Sequence, residues 1–272
     1  MKTILVATDF SPAALNAAHY AAGMALAINA DILLLHVYQI PVSYSEVAVA
    51  VNEADMTDTV EKAMSDLKVS LIAQSGGKLK IGTKISIGIF SYNLQLACES
   101  VMPYAVIMGS QGTSAAERFI FGSHTVLAVQ YLKCPLITVP SGVEFSAVKK
   151  IGLACDFVKV LDTTPVKEIC MLLNDLNAEL HVLNSGQNEM FDANIVFGTS
   201  LMARMFSPHK PKYHFISNGN TDEAIIDFAG RNEIDLLIVL PKHHNILDKI
   251  IHKSHTKQLV LHCNVPVVAI HN

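Results

Sequence analysis

Short apolar runs along the chain alternate with longer stretches in which apolar residues recur every three to four positions. Residues 2–8 form an apolar run rich in β-formers and predict a strand. Residues 12–29 space Ala, Leu and Met as a helix does, with Ser11 as N-cap and Pro12 at the first helical position. A second strand is predicted over 31–38, and a helix from Asp55 to Gln74 that stops at Ser75-Gly76-Gly77. The alternation at 79–86 predicts a third strand, and 91–101 a further helix. A strand over 105–109, a glycine-bearing loop, a helix from about 123 to 132 and a strand over 135–139 complete the set. Continuous apolar strands separated by helices predict a parallel sheet covered on both faces. Ligands of such sheets bind outside the carboxyl ends of the strands, where the strand order switches direction.

The pattern then repeats. Residues 2–10 correspond to 149–157, and Ile32-Leu33-Leu34-Leu35-His36-Val37 to 177–182, which sets His181 opposite His36. Val106-Ile107-Met108 matches Leu237-Ile238-Val239, Ser123-His124-Thr125 matches Ser254-His255-Thr256, and Pro135–Val139 matches Pro266–Ile270. A period near 130–147 residues is a duplicated domain, too long for a solenoid unit. The join falls around Pro140-Ser141-Gly142-Val143, giving domains over 1–142 and 147–272. The fold class is therefore α/β, as two tandem, doubly wound, five-stranded parallel-sheet sandwich domains of Rossmann-like kind. Residues 185–211 replace a longer helix-bearing stretch of the first copy and predict irregular structure or a reduced helix. The apolar last strands, 135–139 and 266–270, are suited to pair across the halves or between chains as edge strands.

Composition narrows the function classes. With 51% hydrophobic and 16% charged residues the chain can bury a core and is not disordered. A net charge of -4 and a pI near 6.3 offer no electrostatic case for nucleic acid or anionic membrane. The chain enters a strand at once from Met1, without a signal-peptide pattern, and no apolar run reaches the length of a membrane span. Five scattered cysteines (98, 134, 155, 170 and 263) with no Cys-x-x-Cys pair read as reduced, mostly buried thiols, and the expected location is cytoplasmic.

The candidate chemistry lies where strands end. Val106-Ile107-Met108-Gly109-Ser110-Gln111-Gly112, followed by Gly122-Ser123-His124-Thr125, reads as strand, glycine loop and helix start. Glycine lets a backbone approach an anion closely, and the first helical turn offers unpaired N–H groups and a partial positive charge. Ser123 and Thr125 add hydroxyl donors. The loop is neither a Walker A motif nor a Gly-x-Gly-x-x-Gly fingerprint. Strand one ends at Ala7-Thr8-Asp9 and strand two at His36-Val37-Tyr38, on the same sheet edge. Asp9, acceptor-only when ionised, suits a ribose hydroxyl or an adenine amino group; it equally suits a cap for the helix that begins near Pro12. In the second copy Leu240 stands for Gly109, His243 for Gly112 and Lys253 for Gly122, and Pro241 removes a loop donor.

The spacing Gly109-x2-Gly112-x9-Gly122-Ser123, with Thr8-Asp9 after strand one and Leu35-His36-Val37 at strand two, resembles the universal stress protein family over nearly the whole chain, as a tandem of two such domains. The resemblance implies an adenine nucleotide alpha hydrolase-like fold and, for members with this glycine pattern, ATP binding. By matching positions, Ala7, Thr8, Asp9 and Val37 would contact adenosine. Met108, Gly109, Ser110, Gly112, Gly122, Ser123, His124 and Thr125 would hold ribose and phosphates, His124 through its backbone N–H at least. The implied ligand is ATP, alone or with Mg, in the first domain, and the second domain would bind it poorly or not at all, with Ser254 and Thr256 leaving a weak anion site. The implied role is a nucleotide-dependent regulator in stress response. At most slow hydrolysis is expected, because no residue stands out as a base for water; Arg118, in the loop between the glycines, either reaches the phosphates or is a surface side chain. An internal pseudo-dimer of the two domains, and a homodimer beyond it, are the expected associations. The rival reading is a non-nucleotide interaction module acting through dimerisation. His243, His244, His252, His255 and His262 with Cys263 do not match a zinc motif, so no metal site and no catalytic residue is assigned.

Overall fold

In the computed structural model, the described residues are 1–39, 53–110, 125, 127–129, 131–157, 160–184, 193–216, 221–241 and 255–271. In the first half these form β1 (Lys2–Ala7), α1 (Pro12–Ile28), β2 (Ala30–Tyr38), α2 (Glu53–Gln74), β3 (Ile81–Ile87), α3 (Phe90–Val101), β4 (Ala105–Gly109) and β5 (Leu136–Val139). Residues 125, 127–129 and 131 are helical. The second half contributes β6 (Lys150–Ala154), β7 (Glu179–Asn184), β8 (Lys212–Phe215), β9 (Leu236–Val239) and β10 (Val267–Ala269). Its helices are Val160–Thr163, Val166–Leu176, Ala193–Met205, Thr221–Arg231 and His255–His262. The helix Ala193–Met205 has 13 residues against 22 in α2, the reduced helix expected of this stretch. Among the described residues no helix is long and apolar enough to cross a membrane.

The strands form one ten-stranded sheet in the order β3-β2-β1-β4-β5-β10-β9-β6-β7-β8. Each half has the same order about its first strand, and each is internally parallel. The halves meet where β5 and β10 pair antiparallel, Ile137 opposite Val268. The carboxyl ends of the first five strands therefore lie along one edge of the sheet, and those of the second five along the opposite edge. The central strands β4, β5, β9 and β10 are buried throughout, while the outer strands β3 and β8 are largely half-buried or exposed. This is the burial that a sheet covered on both faces imposes on its middle.

Alternation along each strand divides the core in two. Ile4, Val6, Leu34, Ile107 and Ile137 pack on one face with Leu153, Val182, Ile238 and Val268 of the second half. Leu5, Ala7, Leu35, Val106 and Met108 pack on the other with Leu183, Leu237, Val239 and Val267. Each layer thus runs unbroken across the seam. The connecting segment is tied to α1. Asn16 Nδ2 donates to the Pro140 and Val143 carbonyls at 3.1 Å each, and the Phe145 ring meets Tyr20 edge-on at 5.2 Å. A Cβ on Gly23 would lie 2.7 Å from the Phe145 side chain, so glycine is what lets Phe145 dock there. Lys2 Nζ completes the seam, 2.6 Å from Asp175 Oδ1 in the other half.

Register corrects one sequence match. Ala7 pairs with Leu35, and Ala154 with Leu183, so Leu183 is the counterpart of Leu35 and Asn184 that of His36. His181 stands earlier in β7. An apolar run with a single polar residue near its end tolerates a slip of three positions by eye, and only the ladder resolves it.

Candidate functional site

The chain leaves β1 through a turn made by its own short polar side chains. Thr8 Oγ1 accepts from the Phe10 N–H at 3.0 Å and Asp9 Oδ1 from the Ser11 N–H at 3.1 Å. Ser11 Oγ then accepts from the Ala14 N–H at 3.3 Å and caps α1. Each bond satisfies a main-chain donor in the turn or the helix start. Phe10 takes a left-handed φ of 65°, which the turn enforces. Thr8 is buried and Asp9 exposed. His36 latches the turn to β2: its Nδ1 lies 2.8 Å from the Thr8 carbonyl, and since a carbonyl only accepts, Nδ1 carries the proton. The Phe10 ring covers His36 at 4.6 Å, and Tyr38 stacks beyond it at 6.0 Å. Val37 is half-buried and packs against the core layer that contains Leu35.

At the end of β4 the three residues have different surroundings. Met108 is a core side chain, 1% exposed, so its side chain faces away from the rim. Gly109 lies against the start of α1, where a Cβ would meet the Ala13 carbonyl carbon and oxygen at 2.9 Å. Ser110 is buried, and its N–H donates to the Val139 carbonyl at 2.9 Å. Thr125 is fully buried and its hydroxyl donates to the Gly109 carbonyl at 3.2 Å. That bond ties the helical segment that contains Thr125 to the end of β4. The glycine at 109 thus has a packing reason of its own, and the hydroxyl of Thr125 has a protein partner.

β1 lies between β2 and β4, so Ala7, Thr8, Asp9, Val37, Met108, Gly109 and Ser110 all come to one rim. The connections from β1 run outward to β2 and β3, and the chain then crosses to β4 on the other side of β1. The strand order therefore switches between β1 and β4, and Thr8-Asp9 and Gly109-Ser110 flank that crevice. Gly112, Gly122, Ser123 and His124, with Arg118, lie outside the described residues. So do His243, His244, His252, Lys253 and Ser254 of the second copy.

The second rim has the same frame with different contents. Cys155 Sγ accepts from the Phe157 N–H at 3.4 Å in place of Thr8, and Phe157 repeats the left-handed φ at 58°. Asn184 Nδ2 donates to the Cys155 carbonyl at 3.0 Å, doing what His36 does in the first half. This latch was not recognised in the sequence; its signal is a polar donor directly after the last leucine of the second strand of each copy. Above the turn the halves diverge. Phe157 is buried, with Gly198 of the helix Ala193–Met205 so close that a Cβ there would lie 2.8 Å from Phe157 Cβ. The single helix α1, 17 residues, is replaced by pieces of 4 and 11 residues. With the helix broken, half-buried Leu240 occupies the position of Gly109.

A separate cavity of about 150 Å³ opens at the seam, among Tyr20, Val148, Ile234, Asp235 and Pro266. It belongs to the junction of the halves and not to the β1–β4 crevice. Burial, and then the charge of Asp235, push the Tyr20 hydroxyl well above the usual tyrosine range. Among the described residues no group of three or more His, Cys, Asp or Glu is placed to hold a metal ion.

Comparison with known proteins agrees with this architecture. No curated protein matches the chain. A universal stress protein from Archaeoglobus fulgidus DSM 4304 superposes with a TM-score of 0.75 at 17% identity, over 99% of this chain and 96% of that one. A functionally unknown protein from Pseudomonas aeruginosa PAO1 superposes with a TM-score of 0.61 at 11% identity, over 100% and 92%. At these identities the likeness establishes the fold. The sequence profile described as "Universal stress protein family" matches residues 1–140 and 201–271, one segment in each half of the sheet. The chain is accordingly a member of the universal stress protein family, with two copies of its α/β fold in tandem.

Proposed function

We propose that the first domain, residues 1–142, binds ATP or a related adenine nucleotide at the β1–β4 crevice, and that the second, 147–272, does not. The observation that carries this reading is the placement of Thr8-Asp9 and Gly109-Ser110 on either side of the switch in strand order, where open α/β sheets receive ligands. Exposed Asp9 offers a carboxylate at the adenosine end, in addition to the bond its Oδ1 accepts from Ser11. Ala7 and Val37 line the same end. Met108, Gly109 and Ser110 contribute main chain, and Gly112, Gly122, Ser123 and His124 supply phosphate donors through their N–H groups. Thr125 acts by holding the helix start against Gly109. Mg is carried on the phosphates if it is present. In the second domain Leu240, His243 and Lys253 replace Gly109, Gly112 and Gly122, which supports the division of roles.

In this reading the protein is a cytoplasmic stress-response regulator whose bound nucleotide alters conformation or partner choice, with hydrolysis slow or absent. The test is calorimetric titration of the full chain with ATP, with and without Mg, alongside Gly112→Val and Asp9→Asn. Wild type should bind one nucleotide per chain. Gly112→Val should lose binding at unchanged melting temperature, and Asp9→Asn should weaken binding while keeping the turn, because the amide oxygen still accepts from Ser11. No heat from wild type, and no nucleotide released on denaturation of freshly purified protein, would favour the interaction module acting through a homodimer. Two nucleotides per chain would overturn the assignment of the second domain.

A further inference from the structure

Cys98 lies in the last turn of α3, and Cys134 in the bend that leads into β5. They are 36 positions apart in sequence, yet their Sγ atoms stand 3.6 Å apart in hydrogen-bond contact. Both thiols are free and half-buried, packed against the core layer. We propose that Cys98 and Cys134 are an oxidation site, at which a hydroperoxide such as hydrogen peroxide converts the two thiols into an intramolecular disulfide.

The chemistry balances with the peroxide as oxidant. The Cys134 thiolate attacks one peroxide oxygen; an S–O bond forms, the O–O bond breaks, and the departing hydroxide takes up a proton as water. The Cys98 sulfur then attacks Cys134 Sγ; the S–S bond forms, the S–O bond breaks, and the leaving hydroxide takes the Cys98 proton as a second water. Two thiols are oxidised and one peroxide is reduced. The contact between the sulfurs carries the pairing, and the direction of their shifts favours Cys134 as the first to attack. The hydrogen bond shared with Cys134, and then burial, raise the Cys98 thiol. The same bond lowers the Cys134 thiol, which favours Cys134 as the sulfur that ionises first. Burial pushes the Cys170 and Cys263 thiols the other way. A disulfide needs about 2.05 Å between sulfurs, so the pair must close by about 1.5 Å; Cys134 sits in a bend and not within a helix, where a side-chain rotation is accommodated. The ring so closed spans residues 98–134 and contains β4 with Gly109, Gly112 and Gly122.

The test uses the full reduced chain, treated with a few equivalents of hydrogen peroxide, alkylated, digested and mapped by mass spectrometry. Free thiols should fall from five to three. One linked peptide pair, Cys98 with Cys134, should appear two hydrogens lighter and vanish on treatment with dithiothreitol. In Cys98→Ser, a dimedone adduct should form on Cys134; in Cys134→Ser, Cys98 should react much more slowly. Unchanged alkylation of all five thiols, a different linked pair, links only between chains, or independent over-oxidation of single cysteines would each overturn the proposal. The wild-type map decides the matter even where a variant folds poorly.

Discussion

Replacing Gly109 by alanine tests how tightly the first rim is built. The new methyl carbon would lie 2.9 Å from the carbonyl carbon and oxygen of Ala13 and 3.2 Å from its Cβ. Ordinary carbon contacts are about 3.5–4.0 Å. The nearest atoms belong to the main chain of α1, which is buried on several sides and held by the Ser11 cap, so they cannot rotate away. Overpacking of this kind costs about 1–3 kcal/mol. Urea unfolding followed by circular dichroism should show a lower midpoint at unchanged slope. The double variant Gly109→Ala with Ala13→Gly should not recover, because the clash is with backbone; the coupling between the two changes should stay below about 0.5 kcal/mol. Gly23→Ala should also destabilise, because its methyl would lie 2.7 Å from Phe145 Cβ, an atom that rotation of the side chain does not move. A Gly109→Ala protein as stable as wild type would refute the packing argument and leave ligand approach as the reason for this glycine; one restored by Ala13→Gly would place the clash on the Ala13 methyl instead of the main chain.

His181 Nδ1 and His214 Nε2 lie 3.0 Å apart with their rings stacked, and burial, as the largest cause, lowers both below the ordinary histidine value. A folded pKa below the unfolded one gives stability that is complete above about pH 6.5 and lost as pH falls through the lowered values. Glu179, lowered mainly by Lys212, adds its own loss only in the carboxylate range. Urea midpoints should therefore fall between pH 7.5 and 5.5, and His214→Gln should flatten that fall; an identical slope in the variant would contradict the assignment. Thr125→Val should cost about 0.5–1.5 kcal/mol by removing the buried donor to the Gly109 carbonyl, while Thr125→Ser should cost less, as thermal melts can resolve. Lys2→Ala should cost about 1–2 kcal/mol, between exposed and buried ion pairs, because Asp175 is left one-fifth exposed beside the Tyr104 ring; equal melting of Lys2→Ala and wild type would show that the seam does not depend on this bond.

Periodicity in the chain was enough for the alternation of strands and helices, the duplication and the rim. Each strand must bury both faces and each helix one, and those demands write themselves as runs and spacings. Ser11 and Pro12 mark the start of α1 because capping is local chemistry within a few residues. The roles inside the rim were less legible. Asp9 and Thr8 brace a turn, Met108 is a core side chain and the Thr125 hydroxyl is engaged by Gly109, because a residue type states what it can bond and not which neighbour reaches it first.

Three features were decided by the tertiary structure. The sulfurs of Cys98 and Cys134 meet only because α3 and the approach to β5 lie side by side, a contact between positions with no shared periodicity. Asn184, and not His181, is the counterpart of His36, because backbone ladders set register to single residues while an apolar run reads the same after a slip. The antiparallel seam of β5 and β10 turns the two rims to opposite edges of one sheet. Order along the chain determines which strands exist; the direction in which two copies join is settled by the burial of both faces across their seam, a property of the assembled sheet and not of either copy alone.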